Sequence, residues 1–233
     1  MSGEKLRSLI ESLPSERLDQ VLTHSSWAVD RASSYERLEF LGDSVLELAV
    51  ARTLFERFPE FSEGRMAKIR SHVVSRASCA AVARELGLDE RLATRGDGNI
   101  PADELERLSR NRNVLAAILE AALAALFVEH GFEPIEAAIV DAFTPRIDFA
   151  LTNQVDYKTE LQEALARLRR HVVYTVLDAE GPAHERLFTC AAVIDGEQLG
   201  SGTGRSKKDA EQIAAQEALA RLEADGLLAP AAE

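Results

Sequence analysis

The sequence predicts an all-α domain followed by a small α+β domain with the element order α-β-β-β-α. Apolar residues recur at helical spacing through the first 150 residues, and after about Leu151 the pattern changes to segments rich in β-branched and aromatic residues. Residues 152–156 form a short polar joint between these two patterns. We therefore expect a first domain at 1–150, a linker at 151–155 and a second domain at 156–225.

Helices of the first domain follow from apolar periodicity and from the residues that interrupt it. Pro14 and Pro59 end two of the periodic runs, and Gly87 and Gly131 end two others. We expect helices at Leu6–Leu13, Ser15–Leu22, Tyr35–Phe58, Ala102–His130 and near Pro134–Phe143. Ser62, followed by helix formers from Met66 to Leu86, is expected to open a further helix that Gly87 closes.

The second domain begins with a helix, predicted at Thr159–Leu168. Strands are predicted at His171–Leu177, Leu187–Ile194 and within Gln198–Gly204. Asp195-Gly196 is a hairpin turn signal between the last two strands. Ser206 is a helix cap, and it predicts a final helix that extends to Leu222.

Composition indicates a soluble globular protein of the cytoplasm. Hydrophobic residues make up 46% of the 233 residues and charged residues 28%. The richest apolar stretch, Val114 to Val128, is too short to cross a bilayer, so we expect no membrane partner. Cys79 and Cys190 lie far apart in the sequence and are typical of buried thiols in a reducing compartment.

Net charge argues against a nucleic-acid partner unless the basic groups are locally concentrated. The formal net charge is −12, and residues 156–233 hold nine Lys/Arg against fourteen Asp/Glu. A helical assembly protein that binds no nucleic acid is therefore one alternative.

Glu39 and Asp43 are four residues apart on a predicted helix and project from one face, with Glu36 one turn earlier. Their carboxylate oxygens suit Mg²⁺ or Mn²⁺. The alternative is that these carboxylates form a solvent-exposed acidic stripe, but the neighbouring Leu38 and Leu41 leave only a narrow polar face on the helix.

Glu120 is the only charged residue between Val114 and Val128. A buried ionised carboxylate costs free energy unless it is paired or bound to a metal. The alternative is an ion pair with an arginine such as Arg37 or Arg70. Three carboxylates on two apolar helices therefore predict a metal site.

Residues 36–44, ERLEFLGDS, resemble the signature of the ribonuclease III family, and LTHSSW (22–27) and SEG (62–64) fit the family's order. The resemblance implies an endoribonuclease that cuts double-stranded RNA, leaves 5′-phosphate and 3′-hydroxyl ends and acts in rRNA and mRNA processing. It implies metal binding by Glu39, Asp43 and Glu120, with Asp43 and Glu120 catalytic and Mg²⁺ or Mn²⁺ as cofactor.

The same resemblance implies a homodimer in which Phe40 packs against the other subunit. It also places Glu36 and Glu63 near the scissile region of the RNA, in a supporting role.

One position departs from the family pattern. Residues 115–120 read LAAILE, and Ala117 stands where the family usually has an Asp. Asn113 or a water is a candidate replacement. The alternative function is a catalytically impaired protein of the same fold that binds double-stranded RNA without cutting it.

Residues 156–222 resemble a double-stranded RNA-binding domain, through DYKTELQE (156–163), GPAH (181–184) and GSGTGRSKKDAEQIAA (200–215). Such a domain spans roughly 16 base pairs and reads shape more than sequence. Lys207 and Lys208 begin a helix, where the dipole favours phosphate. The RNA contacts implied are Thr159, Gln162, Glu163, His184, Ser206, Lys207 and Lys208.

Overall fold

A computed structural model describes residues 3–30, 32–95, 100–153, 156–182 and 185–228. The chain divides into two compact units, residues 1–154 and 155–233. The first is helical in its described residues, and the second is a three-stranded antiparallel sheet with a helix before and after it. This confirms the predicted fold class.

Nine helices are described in the first unit, and they enclose one apolar core. Their bounds are α1 Glu4–Glu11, α2 Ser15–Val21, α3 Glu36–Arg57, α4 Glu63–Val73, α5 Arg76–Glu85, α6 Leu88–Ala93, α7 Ala102–Ser109, α8 Arg112–His130 and α9 Glu133–Asn153.

Helix α8 is the centre of this core, because every residue from Val114 to Leu126 is buried. A helix that is apolar on all sides is stable only when other elements surround it, and α3 and α5 pack against α8. Among the described helices, α8 is also the one long and apolar enough to span a membrane, and most of it is enclosed by the unit.

Two predicted helices are each divided in the structure, so their predicted extents were wrong. The helix predicted to open at Ser62 does so, with Ser62 as the cap of α4. Its predicted extent to Leu86 is divided into α4 and α5, because the Ser75 side chain accepts a hydrogen bond from the Ser78 N–H and starts a new helix. The predicted Ala102–His130 helix is α7 and α8, because Asn111 caps the N-terminus of α8 in the same way.

The last helix of the unit was predicted to end near Phe143, but α9 continues through Pro145 to Asn153. An interior proline costs about 3 kcal/mol, because it removes a hydrogen bond and crowds the preceding turn. Phe143, Ile147 and Ala150 are fully buried on both sides of the proline, and their burial offsets this cost. Residues 151–153 of the predicted linker therefore belong to α9.

The second unit contains α10 Tyr157–Arg167, β1 Val172–Glu180, β2 Leu187–Ile194, β3 Glu197–Gly204 and α11 Lys207–Ala224. The strand order is β1-β2-β3. Asp195 and Gly196 both have positive φ, 52° and 87°, in the tight turn between β2 and β3, which confirms the predicted hairpin.

Strand β3 carries glycine at alternate positions because α11 packs directly on its backbone. A Cβ at Gly200 would lie 2.1 Å from the Ala214 carbonyl oxygen, and one at Gly202 would lie 2.4 Å from the Ala210 carbonyl oxygen. These glycines therefore fix the distance between α11 and the sheet.

Helices α3 and α8 meet at Gly42. A Cβ at this position would lie 1.7 Å from the main-chain carbonyl oxygen of Glu120. The absence of a side chain at Gly42 therefore allows α3 to lie directly against the backbone of α8 at Glu120.

Gly42→Ala is expected to destabilise the first unit by about 1–3 kcal/mol or more, because the added methyl group forces α3 away from α8. Urea unfolding of the full chain measures the loss. Gly64→Ala is the control, since a Cβ at Gly64 in α4 meets nothing within 4 Å. Equal stability of the two variants would contradict the close approach.

Candidate active site and RNA interface

The contact between α3 and α8 brings three carboxylates together. Glu39 and Asp43 flank Gly42 on α3, and Glu120 lies in the middle of α8. Glu120 is only 4% exposed, whereas Glu39 is half-buried and Asp43 is exposed. The negative charges of Asp43 and Glu39 both raise the pKa of Glu120, so the three groups interact.

Burial is the main reason that the pKa of Glu120 rises from 4.5 to about 7. The Arg76 charge opposes the shift, Asp43 and Glu39 add to it, and a hydrogen bond with the Cys79 side chain opposes it. Burial also raises the pKa of the Cys79 thiol to about 12, so this thiol stays protonated at neutral pH. Glu120 is thus a buried acid whose ionised form is incompletely compensated.

Arg76, the first residue of α5, is the basic partner of this group. Its Nη2 donates a hydrogen bond to Glu39 Oε1 at 3.0 Å, and its charge also acts on Glu120. The arginines named from the sequence as candidate partners of Glu120 were Arg37 and Arg70, and neither is among the charges that shift its pKa. An interaction with arginine therefore exists, but through Arg76.

Glu39, Asp43 and Glu120 offer carboxylate oxygens, which are the ligands that hard divalent cations prefer. The charge of the buried Glu120 carboxylate is compensated only in part, which also favours a cation at this place. In the arrangement described, Glu39 is turned to Arg76. Among the described residues, no group of three or more His, Cys, Asp or Glu side chains is arranged to hold a metal ion. Metal ligation by Glu39, Asp43 and Glu120 therefore stays a prediction.

The other predicted site residues lie on α3, α4 and α8. Glu36 and Glu63 are exposed first residues of α3 and α4, and neither is among the groups that shift the pKa of Glu120. Phe40 is 80% exposed, next to Glu39. Ala117 is buried one turn before Glu120. Asn113, its suggested replacement, is exposed and about 10 Å from Glu120 along the helix axis.

Sequence reasoning missed Arg76 and Cys79. Arg76 follows the cap residue Ser75, and Cys79 is one turn further along α5. Their proximity to Glu120 depends on how α5 packs against α8. Apolar periodicity within either helix does not encode this packing.

In the second unit, Thr159, Gln162 and Glu163 share one face of α10, at positions separated by three and four residues. Leu161 and Leu165 are buried on the opposite side, in the core of the unit. Gln162 is exposed, and Thr159 and Glu163 are half-buried. This polar face is therefore accessible along its length.

The start of α11 is the second accessible part of the predicted interface. Lys207 and Lys208 are exposed, and Lys207 Nζ lies 6.0 Å from the centre of the Phe188 ring. Ser206 caps the helix, since its Oγ accepts a hydrogen bond from the Asp209 N–H at 3.1 Å. The Ser206 side chain thus orients the first turn that carries the lysines. His184 lies outside the described residues.

Comparison with known proteins decides the family. Residues 14–147 match a family model described as ribonuclease-III-like. The chain belongs to the ribonuclease III family. Residues 157–222 of this ribonuclease III match the double-stranded RNA binding motif, so a nuclease domain precedes an RNA-binding domain.

Curated relatives extend the match over most of the chain. Ribonuclease 3 of Geobacter metallireducens is 39% identical over 217 residues, covering 90% of this chain and 86% of the relative. Ribonuclease 3 of Bacillus licheniformis is 40% identical over 212 residues, covering 88% and 83%. The solved nuclease domain of ribonuclease III from Campylobacter jejuni has 30% identity and a TM-score of 0.51, covering 61% of this chain and 96% of that one.

These matches establish a ribonuclease III-type endoribonuclease that carries a double-stranded RNA-binding domain. Enzymes of this family generally depend on a divalent metal. The alternative of an assembly protein without nucleic acid is therefore wrong. The acidic net charge suggested it, but that charge is an average over the chain and does not describe the start of α11.

Glu120→Gln is expected to stabilise the metal-free ribonuclease III at high pH. The Glu120 carboxyl has a pKa of about 7 when folded and near 4.5 when unfolded, so stability falls as pH rises between these values. One pKa unit corresponds to about 1.4 kcal/mol, which makes the full cost above pH 7 a few kcal/mol. The glutamine variant escapes this cost.

Urea unfolding in EDTA at about pH 5 and about pH 8 measures this difference, which should be larger at the higher pH. Glu60→Gln, at an exposed position of the same unit, controls for the loss of one negative charge. An advantage of Glu120→Gln that is the same at both pH values would contradict the prediction.

Proposed function

We propose that this ribonuclease III hydrolyses double-stranded RNA with divalent metal ions held by Glu39, Asp43 and Glu120. The buried Glu120 carboxylate next to Asp43 and Glu39 carries this proposal, because its charge is compensated only in part by Arg76. Mg²⁺ is the proposed ion, with Mn²⁺ as a substitute. The proposed products have 5′-phosphate and 3′-hydroxyl ends, and the proposed substrates are rRNA and mRNA precursors.

A bound divalent ion lowers the pKa of a coordinated water and neutralises phosphoryl oxygens. The chain itself holds the carboxylates in place. Glu120 is fixed by its burial in the core helix α8, while Glu39 and Asp43 lie on the more exposed face of α3. Asp43 and Glu120 are the proposed catalytic residues. Glu36 and Glu63, both exposed, have a proposed supporting role near the scissile region.

The proposed active form is a homodimer. Phe40, Leu48 and Phe55 are large apolar side chains on α3 that are 80%, 52% and 71% exposed. Exposed apolar side chains that share one helix are typical of a protein interface. A structure of the Campylobacter jejuni nuclease domain is described with a region involved in dimer formation. We propose that α3 of a second copy covers Phe40.

A cytoplasmic location is part of this proposal. Its support is that Cys79 and Cys190 are both free thiols, as expected in a reducing compartment.

The second candidate function is binding of double-stranded RNA without cleavage. Ala117 favours it, because this buried methyl group offers no oxygen to a cation one turn before Glu120. Three carboxylates remain in the group, so we expect weakened metal affinity rather than loss of cleavage.

The cleavage test uses a long RNA duplex, Mg²⁺ and end mapping of the products. Wild type is expected to cut both strands and leave 5′-phosphates, and Glu120→Gln is expected to retain below about 1% of the rate, because it cannot supply a charged oxygen. Ala117→Asp restores a fourth carboxylate and is expected to lower the Mg²⁺ concentration needed for half-maximal cleavage.

Equal amounts of intact RNA after digestion with wild type and Glu120→Gln would reject the nuclease and favour the binding function. A gel shift with both proteins in Ca²⁺ is the control, since RNA binding by the second domain is expected to be unchanged.

Lys207→Ala with Lys208→Ala is expected to weaken binding to duplex RNA about tenfold or more, with little dependence on RNA sequence. Each lysine lies exposed at the N-terminal turn of α11. Loss of two phosphate contacts is expected to reduce the slope of log affinity against log salt by about two.

Fluorescence anisotropy with a duplex of roughly 20 base pairs measures affinity at several salt concentrations. Arg221→Ala is the matched control, because Arg221 lies in the last turn of the same helix. An unchanged salt slope in the double variant would contradict the proposed interface.

A further inference from the structure

Arg76 faces carboxylates that come from two different helices. Its guanidinium is 3.0 Å from Glu39 Oε1 of α3, and its charge is the largest influence that favours the ionised form of Glu120 in α8. Helix α5, which Arg76 begins, packs against α8. A positive charge is therefore already present beside the carboxylates that the proposed function assigns to a divalent cation.

The ion pair is accessible enough to exchange. The Arg76 side chain is 51% exposed and that of Glu39 is 23% exposed. Ion pairs of this kind contribute little to stability, because solvent screens them and long side chains lose entropy when they are held. The Arg76 side chain therefore has space to move, and its ion pair with Glu39 is weak enough for a doubly charged ion to displace it.

The number of carboxylates near Glu120 makes this competition matter. Ala117 is 3% exposed and adds no oxygen to the group. Three carboxylates and one arginine together carry less negative charge than the carboxylates alone. Because only three carboxylates are present, pairing one of them with an arginine removes a larger share of the negative charge that attracts a cation.

We propose that Arg76 is a built-in counter-cation that competes with the divalent ion for Glu39, so that metal binding releases Arg76 from Glu39. This inference rests on the proposed function, since it concerns the same carboxylates. In the absence of a divalent ion Arg76 limits the repulsion between Glu39 and Glu120. In its presence the same charge lowers the metal affinity.

The test is a titration of the full chain with Mn²⁺ alone, with free Mn²⁺ followed by electron paramagnetic resonance. Arg76→Gln is expected to bind Mn²⁺ about fivefold more tightly than wild type, the upper range for a partly exposed charge pair. Arg76→Ala removes the same charge with a different side chain and should show a similar factor. Arg76→Lys keeps the charge and should stay closer to wild type.

Arg84→Gln is the matched control. It removes a positive charge from the same helix, eight residues or about 12 Å further along its axis, and its Mn²⁺ affinity is expected to equal that of wild type. Thermal unfolding gives a second measurement. The melting temperature of Arg76→Gln should rise more on addition of Mn²⁺ than that of wild type does.

Unchanged or weaker Mn²⁺ binding by Arg76→Gln and Arg76→Ala, with wild type binding Mn²⁺, would overturn the role of Arg76 and leave the proposed metal site intact. Absence of Mn²⁺ binding in wild type and all variants would reject the proposed metal site together with this inference. Equally tighter Mn²⁺ binding by Arg84→Gln would show that the effect comes from the overall charge of the protein, and it would also overturn the proposal.

Discussion

The close contact between Gly42 and the main chain of Glu120 is the constraint on which the nuclease unit depends. It sets the distance between α3 and the buried helix α8, and so the distance between carboxylates carried by different helices. Glu120 has no freedom to move away, because the residues on both sides of it are buried in the core. Site geometry and core packing are therefore determined by the same pair of helices.

Much of the candidate site could be predicted from the sequence, because the carboxylates lie on strongly periodic segments. Glu39 and Asp43 are related by helical spacing alone, and Glu120 is conspicuous as a charge within an apolar run. Arg76 could not be predicted, since its position against Glu39 depends on the packing of α5. A local sequence pattern identifies a charged residue within an apolar segment, but tertiary packing determines which side chain pairs with it.

The limits of the fold prediction have similar causes. The breaks at Ser75 and Asn111 depend on side chains that accept backbone hydrogen bonds from the following turn, one at Ser75 and two at Asn111. At Pro145 the error was the opposite, since the predicted helix was too short. Burial of apolar residues on both sides of the proline outweighs the lost backbone hydrogen bond. The sheet was located well, since β-branched residues and the Asp195-Gly196 turn are strong local signals. Fold class is thus easier to predict than helix ends.

The RNA-binding unit shows why average charge is a poor guide to its partner. Residues 156–233 are acidic overall, yet Lys207 and Lys208 lie together at a helix N-terminus whose backbone dipole adds to their charge. Gly200 and Gly202 determine where that helix lies on the sheet. The position of a few charges on a rigid element therefore matters more than their sum.

Helix α3 presents three different surfaces along a single rigid cylinder. Leu46 and Ala49 are buried, Glu39 and Asp43 lie beside α8, and Phe40 and Phe55 project into solvent. A sliding of α3 by one turn, about 5.4 Å, would displace all three surfaces at once. A substitution that shifts α3 along its axis would therefore affect the packing of the core, the proposed subunit contact and the proposed metal site together.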